Sequence, residues 1–92
     1  MTLIQAQTLV LANKRGLHAR ASAKFVTVAA EFKASIKVSN AEGAEVGGTS
    51  IMGLMMLGVA CNETINISAT GEEAEAAVSA LAELINRKFD EE

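Results

Sequence analysis

The chain has one histidine, His18, and it stands in the run Gly16-Leu17-His18-Ala19-Arg20, where a flexible residue gives way to helical spacing from Ala19 onward. A helix start exposes unpaired backbone N–H groups and a partial positive charge, so it attracts anions, phosphate first among them. A neutral imidazole placed there offers phosphorus a nucleophilic ring nitrogen, and the phosphohistidine it forms gives its phosphoryl group away readily. Arg20, two residues on, supplies a planar pair of donors for phosphoryl oxygens, and Lys24 adds a more distant positive charge. A lone histidine in an arbitrary small chain is more often a surface or capping residue. Position beside Arg20 at a helix start supplies a mechanism for phosphoryl acceptance without by itself overturning that reading.

A second constellation begins at Ser50, which precedes Ile51-Met52-Gly53-Leu54-Met55-Met56-Leu57. The run is short and glycine-interrupted, which predicts one or two helical turns with Ser50 as the N-cap. A phosphate on that hydroxyl would add about −1.5 to −2 charge where the helix dipole favours it, although plain capping is the reading that the local sequence favours. Three methionines within five residues exceed what one buried helix face holds, so some are expected at the surface, where methionine makes an adaptable docking patch.

Charge is unevenly placed around these residues. Residues 1–33 carry Lys14, Arg15, Arg20, Lys24 and Lys33 against Glu31 alone, a net of +4, while residues 34–92 carry three bases against ten acids, a net of −7. The histidine therefore sits in the basic part of a chain whose net charge is −3, a setting that suits an anion or an acidic partner surface. With no Trp or Tyr, only three Phe and a negative total charge, the chain lacks what nucleic-acid binding requires. Cys61 is the only cysteine, so no internal disulfide and no cysteine-based metal cluster is expected. Neither a leader pattern nor an apolar run of the ~20 residues that a membrane span needs is present, and the expected location is the cytoplasm.

The elements that must position His18 and Ser50 can be read from periodicity. Residues 3–11 alternate as a strand, with Leu3, Gln5, Gln7, Leu9 and Leu11 on one face and Ile4, Ala6, Thr8 and Val10 on the other. A helix follows from Ala19, its stripe formed by Ser22, Phe25, Val26, Ala29 and Phe32. Residues 35–39 alternate, Asn40-Ala41-Glu42-Gly43 supplies a turn, and a short strand near Ala44 to Gly47 completes a hairpin. Thr64 to Ala69 forms a fourth strand with Ile65 and Ile67 inward. Thr70-Gly71-Glu72-Glu73 reads as a capping box opening a final helix, which buries Ala74, Ala77, Val78, Leu81, Leu84, Ile85 and Phe89 and ends with Arg87 and Lys88 in its last turn. The order β-α-β-β-α-β-α in a chain of 92 residues predicts a single α+β domain over residues 1–92, a two-layer open-faced sandwich of a four-stranded antiparallel sheet and three helices on one face.

Gly16 to Arg20 opening a helix, followed by Ser50 to Gly58, closely resembles the histidine-containing phosphocarrier protein (HPr) family of the phosphoenolpyruvate-dependent phosphotransferase system, over essentially the whole chain. The resemblance implies that Enzyme I, phosphorylated by phosphoenolpyruvate, passes its phosphoryl group to Nδ1 of His18, that Arg20 neutralises the phosphoryl oxygens, and that the group moves on to a IIA protein or domain. It implies a docking surface of Ala19, Arg20, Ala23, Thr27, Ile51, Met52 and Met55, and makes Ser50 the counterpart of the serine modified by an ATP-dependent HPr kinase/phosphorylase. No cofactor, metal, nucleic acid or membrane insertion is implied, and the carrier is expected to act as a monomer and stoichiometrically, not as a stand-alone enzyme.

Two positions depart from the family pattern: Ala21 stands where many members have proline, and Thr49 precedes Ser50 where lysine is frequent. Alanine keeps a backbone N–H in the first turn and loses proline's preset φ; the pattern looks like the alphaproteobacterial forms. A purely regulatory binding module controlled through Ser50 is the alternative, and retention of His18 and Arg20 speaks against it. A small hydrolase with His18 as general base lacks a carboxylate partner near it in sequence.

Overall fold

The computed structural model describes residues 4–91; Leu3, assigned above to the first strand, lies outside the described residues. The element order is β1 (Ile4–Val10), α1 (Ala19–Ala29), β2 (Ser35–Asn40), β3 (Glu45–Gly47), α2 (Ile51–Leu57), β4 (Thr64–Thr70) and α3 (Ala74–Asn86), followed by a single 3-10 turn over Lys88–Asp90. The four strands form one antiparallel sheet in the order β1-β4-β2-β3. This is the open-faced α+β sandwich expected from the sequence.

Strand alternation decides which side of the sheet the helices cover. Leu9, Ile36, Val38, Ile65, Ile67 and Ala69 all point into the core, and the register sets Leu9 beside Ile65 and Val38 beside Ile67. Ile4 and Val10, on the other face of β1, are exposed, so that side of the sheet is left open. Covering the inner face are Ala21, Ser22, Phe25 and Ala29 of α1, Leu54 and Leu57 of α2, and Ala74, Ala77, Val78, Leu81, Ala82, Leu84 and Ile85 of α3. Non-directional burial of apolar surface holds these layers together, and α1 packs against both α2 and α3.

Three local readings are corrected. Helix α1 stops at Ala29, and Phe32 packs on the core from the turn beyond it, after the Glu31 and Phe32 N–H groups close tight bonds to the Val28 and Ala29 carbonyls. Thr70 ends β4 and makes no capping box. Glu73, at the N-cap of α3, has no side-chain cap bond, because its carboxylate accepts from the Lys33 N–H at 2.7 Å and its own N–H donates to the Lys33 carbonyl. Glu73 therefore ties α3 to the turn after α1. Finally, α3 ends at Asn86, so Arg87 and Lys88 do not occupy its last turn, and Phe89 is buried from outside the helix.

Candidate functional site

His18 is itself the N-cap of α1. Its backbone is extended (φ −80°, ψ −177°), its carbonyl accepts the Ser22 N–H at 2.8 Å, and its Nδ1 accepts the Arg20 N–H at 3.2 Å. The loop that presents it is anchored from behind: the Asn13 side-chain amide donates to the Gly16 carbonyl at 2.7 Å, the Gly16 N–H donates to the Asn13 carbonyl at 3.1 Å, and the Leu17 N–H donates to the Val59 carbonyl at 2.9 Å. Ala21 is fully buried in the first turn of the helix. The helix start is thus fixed by its cap and by packing, without proline.

The other ring nitrogen, Nε2, meets a residue that no local pattern indicated. Glu91, 73 positions away, places Oε2 against His18 Nε2 and receives the Asn13 amide on Oε1 at 3.3 Å. A carboxylate accepts only, so Nε2 is the protonated nitrogen and Nδ1 carries the lone pair. His18 thus has a carboxylate neighbour in space although none stands near it in sequence. Ser22, the hydroxyl nearest to His18 in sequence, is buried with its Oγ donating to the Leu17 carbonyl, so it does not serve His18 as a nucleophile.

Burial pushes the Glu91 carboxyl up, but the hydrogen bonds from His18 and Asn13, with the charge of Arg15, outweigh it and hold the group below the usual carboxylate range. A lowered folded-state pKa means that the contact stabilises the fold above the unfolded value of 4.5 and is lost as pH falls through the folded value. We therefore expect the Glu91 segment to separate from His18 only when pH drops below about 4.5. An NMR titration following the Glu91 and Asn13 side-chain signals from neutral to acid pH checks this.

Lys14, Arg15, His18, Arg20, Lys24, Asp90 and Glu91 line an open cleft of about 410 Å³. Four of its seven residues are cationic, as the charge distribution foretold. Lys24 does more than add distant charge, since its Nζ donates to the Phe89 carbonyl at 2.7 Å. Arg20 is exposed, and no ion pair holds it among the described residues.

Ser50 caps α2 as expected, its exposed Oγ accepting the Gly53 N–H at 3.0 Å, and the helix ends on left-handed Gly58. Gly53 makes room for that cap, because a Cβ there would come within 2.9 Å of Ser50 Oγ. Leu54 and Leu57 point inward, while Ile51, Met52, Met55 and Met56 are exposed. Of the remaining proposed docking residues, Ala19, Arg20 and Thr27 are exposed and Ala23 is half-buried, all on α1, which packs beside α2.

Comparison with known proteins places this geometry in a family. Residues 5–87 match the family described as "PTS HPr component phosphorylation site". The chain belongs to the HPr family of phosphocarrier proteins. It is 42% identical to the phosphocarrier protein HPr of Pseudomonas aeruginosa over 86 residues, covering 94% of this chain and 96% of that one. It is 38% identical to the phosphocarrier protein NPr of Shewanella violacea over 91 residues, covering 99% and 98%. The crystal structure of HPr from Thermoanaerobacter tengcongensis superposes with a TM-score of 0.90 at 42% identity, covering 96% of this chain and 98% of that one. No helix among the described residues is long and apolar enough to cross a membrane.

Proposed function

We propose that this HPr accepts a phosphoryl group from phosphorylated Enzyme I on Nδ1 of His18 and delivers it to a IIA protein or domain, acting as a monomeric single-domain carrier in the cytoplasm. The observation that carries the proposal is the assignment of the two ring nitrogens: Nε2 is engaged by Glu91, and Nδ1 presents its lone pair at the start of α1. When Nδ1 bonds to phosphorus, the Arg20 N–H that it now accepts is free to donate to a phosphoryl oxygen, with the helix dipole behind it. The Arg20 side chain lies in the same cleft and supplies the fork of donors. Incubation with Enzyme I and phosphoenolpyruvate, followed by ¹⁵N and ³¹P NMR, tests this reading. One acid-labile phosphoryl group on Nδ1 of His18 supports it; no label, or label on another atom, refutes it.

Docking is assigned to Ala19, Arg20, Ala23, Thr27, Ile51, Met52 and Met55, where exposed apolar side chains on α2 adjoin the basic start of α1. Partner recognition there combines apolar contact with charge steering. Ser50 lies at the edge of that surface, and its modification by an HPr kinase/phosphorylase would put negative charge among groups that must receive an acidic, phosphorylated partner. Ser50→Asp, which keeps a capping oxygen and adds one charge, is expected to slow labelling by Enzyme I about tenfold, equivalent to ~1.4 kcal/mol, with the thermal midpoint little changed. Labelling time courses across a range of Enzyme I concentrations measure it.

A further inference from the structure

Three consecutive residues other than glycine adopt left-handed backbone after α3: Lys88 (φ 58°), Phe89 (φ 54°) and Asp90 (φ 62°). Left-handed conformation is unfavourable for L-residues and persists in runs only where the surroundings impose it. Here several contacts impose it. Phe89 is fully buried, its carbonyl accepts from Lys24 Nζ at 2.7 Å, Arg87 Nε pairs with Asp90 at 3.1 Å, and the Asp90 and Glu91 N–H groups donate to the Arg87 and Lys88 carbonyls. The chain reverses through this turn, and the reversal sets Glu91 against His18, with one carboxylate oxygen on Nε2 and the other on the Asn13 amide. Asn13 cannot be turned over to relax this, since its amide nitrogen already serves both the Gly16 carbonyl and Glu91, and a reversed amide would set oxygen against carboxylate.

We infer that Glu91 is a positioning residue for phosphoryl transfer: its carboxylate keeps the His18 proton on Nε2, aims Nδ1 at the donor, and faces the positive charge that the ring acquires in the transfer. The inference rests on His18 being the acceptor. In the step itself the Nδ1 lone pair forms the bond to phosphorus, the bond from phosphorus to the donor atom breaks with its electron pair returning to the donor, and the Nε2 proton stays in place. The ring then carries positive charge across both nitrogens, with Glu91 opposite it on the nitrogen that holds no phosphoryl group. On delivery the phosphorus–Nδ1 bond breaks, its pair returns to the ring, and the charge is discharged, again without a proton leaving Nε2. Carboxylates that orient a histidine from its second nitrogen act in this way at metal and nucleophile sites.

The test compares the wild-type full chain with Glu91→Ala and Glu91→Gln. Glu91→Ala is expected to label from Enzyme I about tenfold more slowly, the scale on which such outer partners act, with its thermal midpoint close to wild type. Glu91→Gln, whose amide oxygen still accepts from Nε2–H but carries no charge, is expected to recover part of the rate. In ¹H–¹⁵N spectra, the slowly exchanging Nε2–H signal of wild-type His18 is expected to persist in Glu91→Gln and to broaden through exchange in Glu91→Ala. Wild-type labelling rates in both variants, or an Nε2–H signal indifferent to Glu91→Ala, would overturn the assignment. If wild-type protein takes no label at all, the carrier reading fails, and the ring signal alone still decides whether Glu91 holds His18.

Discussion

His18→Ala is expected to take no phosphoryl group from Enzyme I and phosphoenolpyruvate under conditions that label the wild-type chain fully. Alanine has no nucleophilic atom, and among the described residues of the cleft the other side-chain nitrogen groups are the ammonium and guanidinium groups of Lys14, Arg15, Arg20 and Lys24, which are donors with no acceptor lone pair to offer phosphorus. No substitute acceptor stands at the start of α1. The loss is therefore expected to exceed a thousandfold, beyond the ~4 kcal/mol that equals three factors of ten. The fold should survive. The substitution removes one N-cap acceptor, a loss of about 1 kcal/mol, and releases Glu91 from one of its two contacts, while the core residues Phe25, Leu54, Ile65 and Ile67 are untouched. Acid-labile phosphate, measured beside a thermal melt, separates the two effects: chemistry gone, structure retained. Equal labelling of His18→Ala and wild type would remove the acceptor assignment outright.

That assignment was accessible from sequence because its parts are local. Gly16 before His18, and Arg20 after it on the first turn of a helix with an apolar stripe, are signals within a few residues of one another, and α1 begins at Ala19 as the spacing indicates. Ser50 was legible for the same reason, since an N-cap oxygen and the N–H that it accepts lie three residues apart. The readings that failed are those in which a local pattern was claimed by a distant partner. Thr70 and Glu73 have capping-box spacing, yet Glu73 satisfies the backbone of Lys33 instead, because the turn after α1 lies within its reach once the sheet has formed. Phe89 falls near the period of α3, but the helix ends at Asn86 and a left-handed turn carries the ring into the core by another route.

Glu91 is the extreme case. Asp90-Glu91-Glu92 is a run of three acids, and nothing in its composition marks one of them for contact with a histidine far off in the sequence, 73 positions away from Glu91. The contact requires the sheet to bring α3 beside α1, Phe89 to be buried, and Lys24 to hold the reversed backbone. Each is a tertiary event, so the site's chemistry was legible while its electrostatic completion was not. Lys24 illustrates the same division: its charge near His18 was evident, and its use as an anchor for the C-terminal turn was not.

Gly16 is where fold and site depend on a single hydrogen atom, and Gly16→Ala is expected to cost about 3 kcal/mol. Part of the effect is conformational: at φ +63° a Cβ costs roughly 1 kcal/mol. The larger part is collision, because the added carbon would lie 2.5 Å from the Val59 carbonyl oxygen and 2.8 Å from Ala60 Cα, both backbone atoms that cannot rotate away. Moving them disturbs the bond from the Leu17 N–H to that same Val59 carbonyl, which anchors the loop directly before His18. A loss of this size in a domain of this length lowers the melting midpoint by about 15 °C. Gly43→Ala provides the matched control, since Gly43 also has positive φ, +91°, but a Cβ there meets nothing within 4 Å. It should show the backbone term alone, about 1 kcal/mol, and label normally. The folded fraction of Gly16→Ala should label more slowly than wild type, because His18 can no longer be held at once over the start of α1 and against Glu91. Thermal melts of both variants, with labelling rates taken well below each midpoint, distinguish a displaced loop from simple instability; equal midpoints for the two would show that the Val59 contact does not constrain the His18 loop.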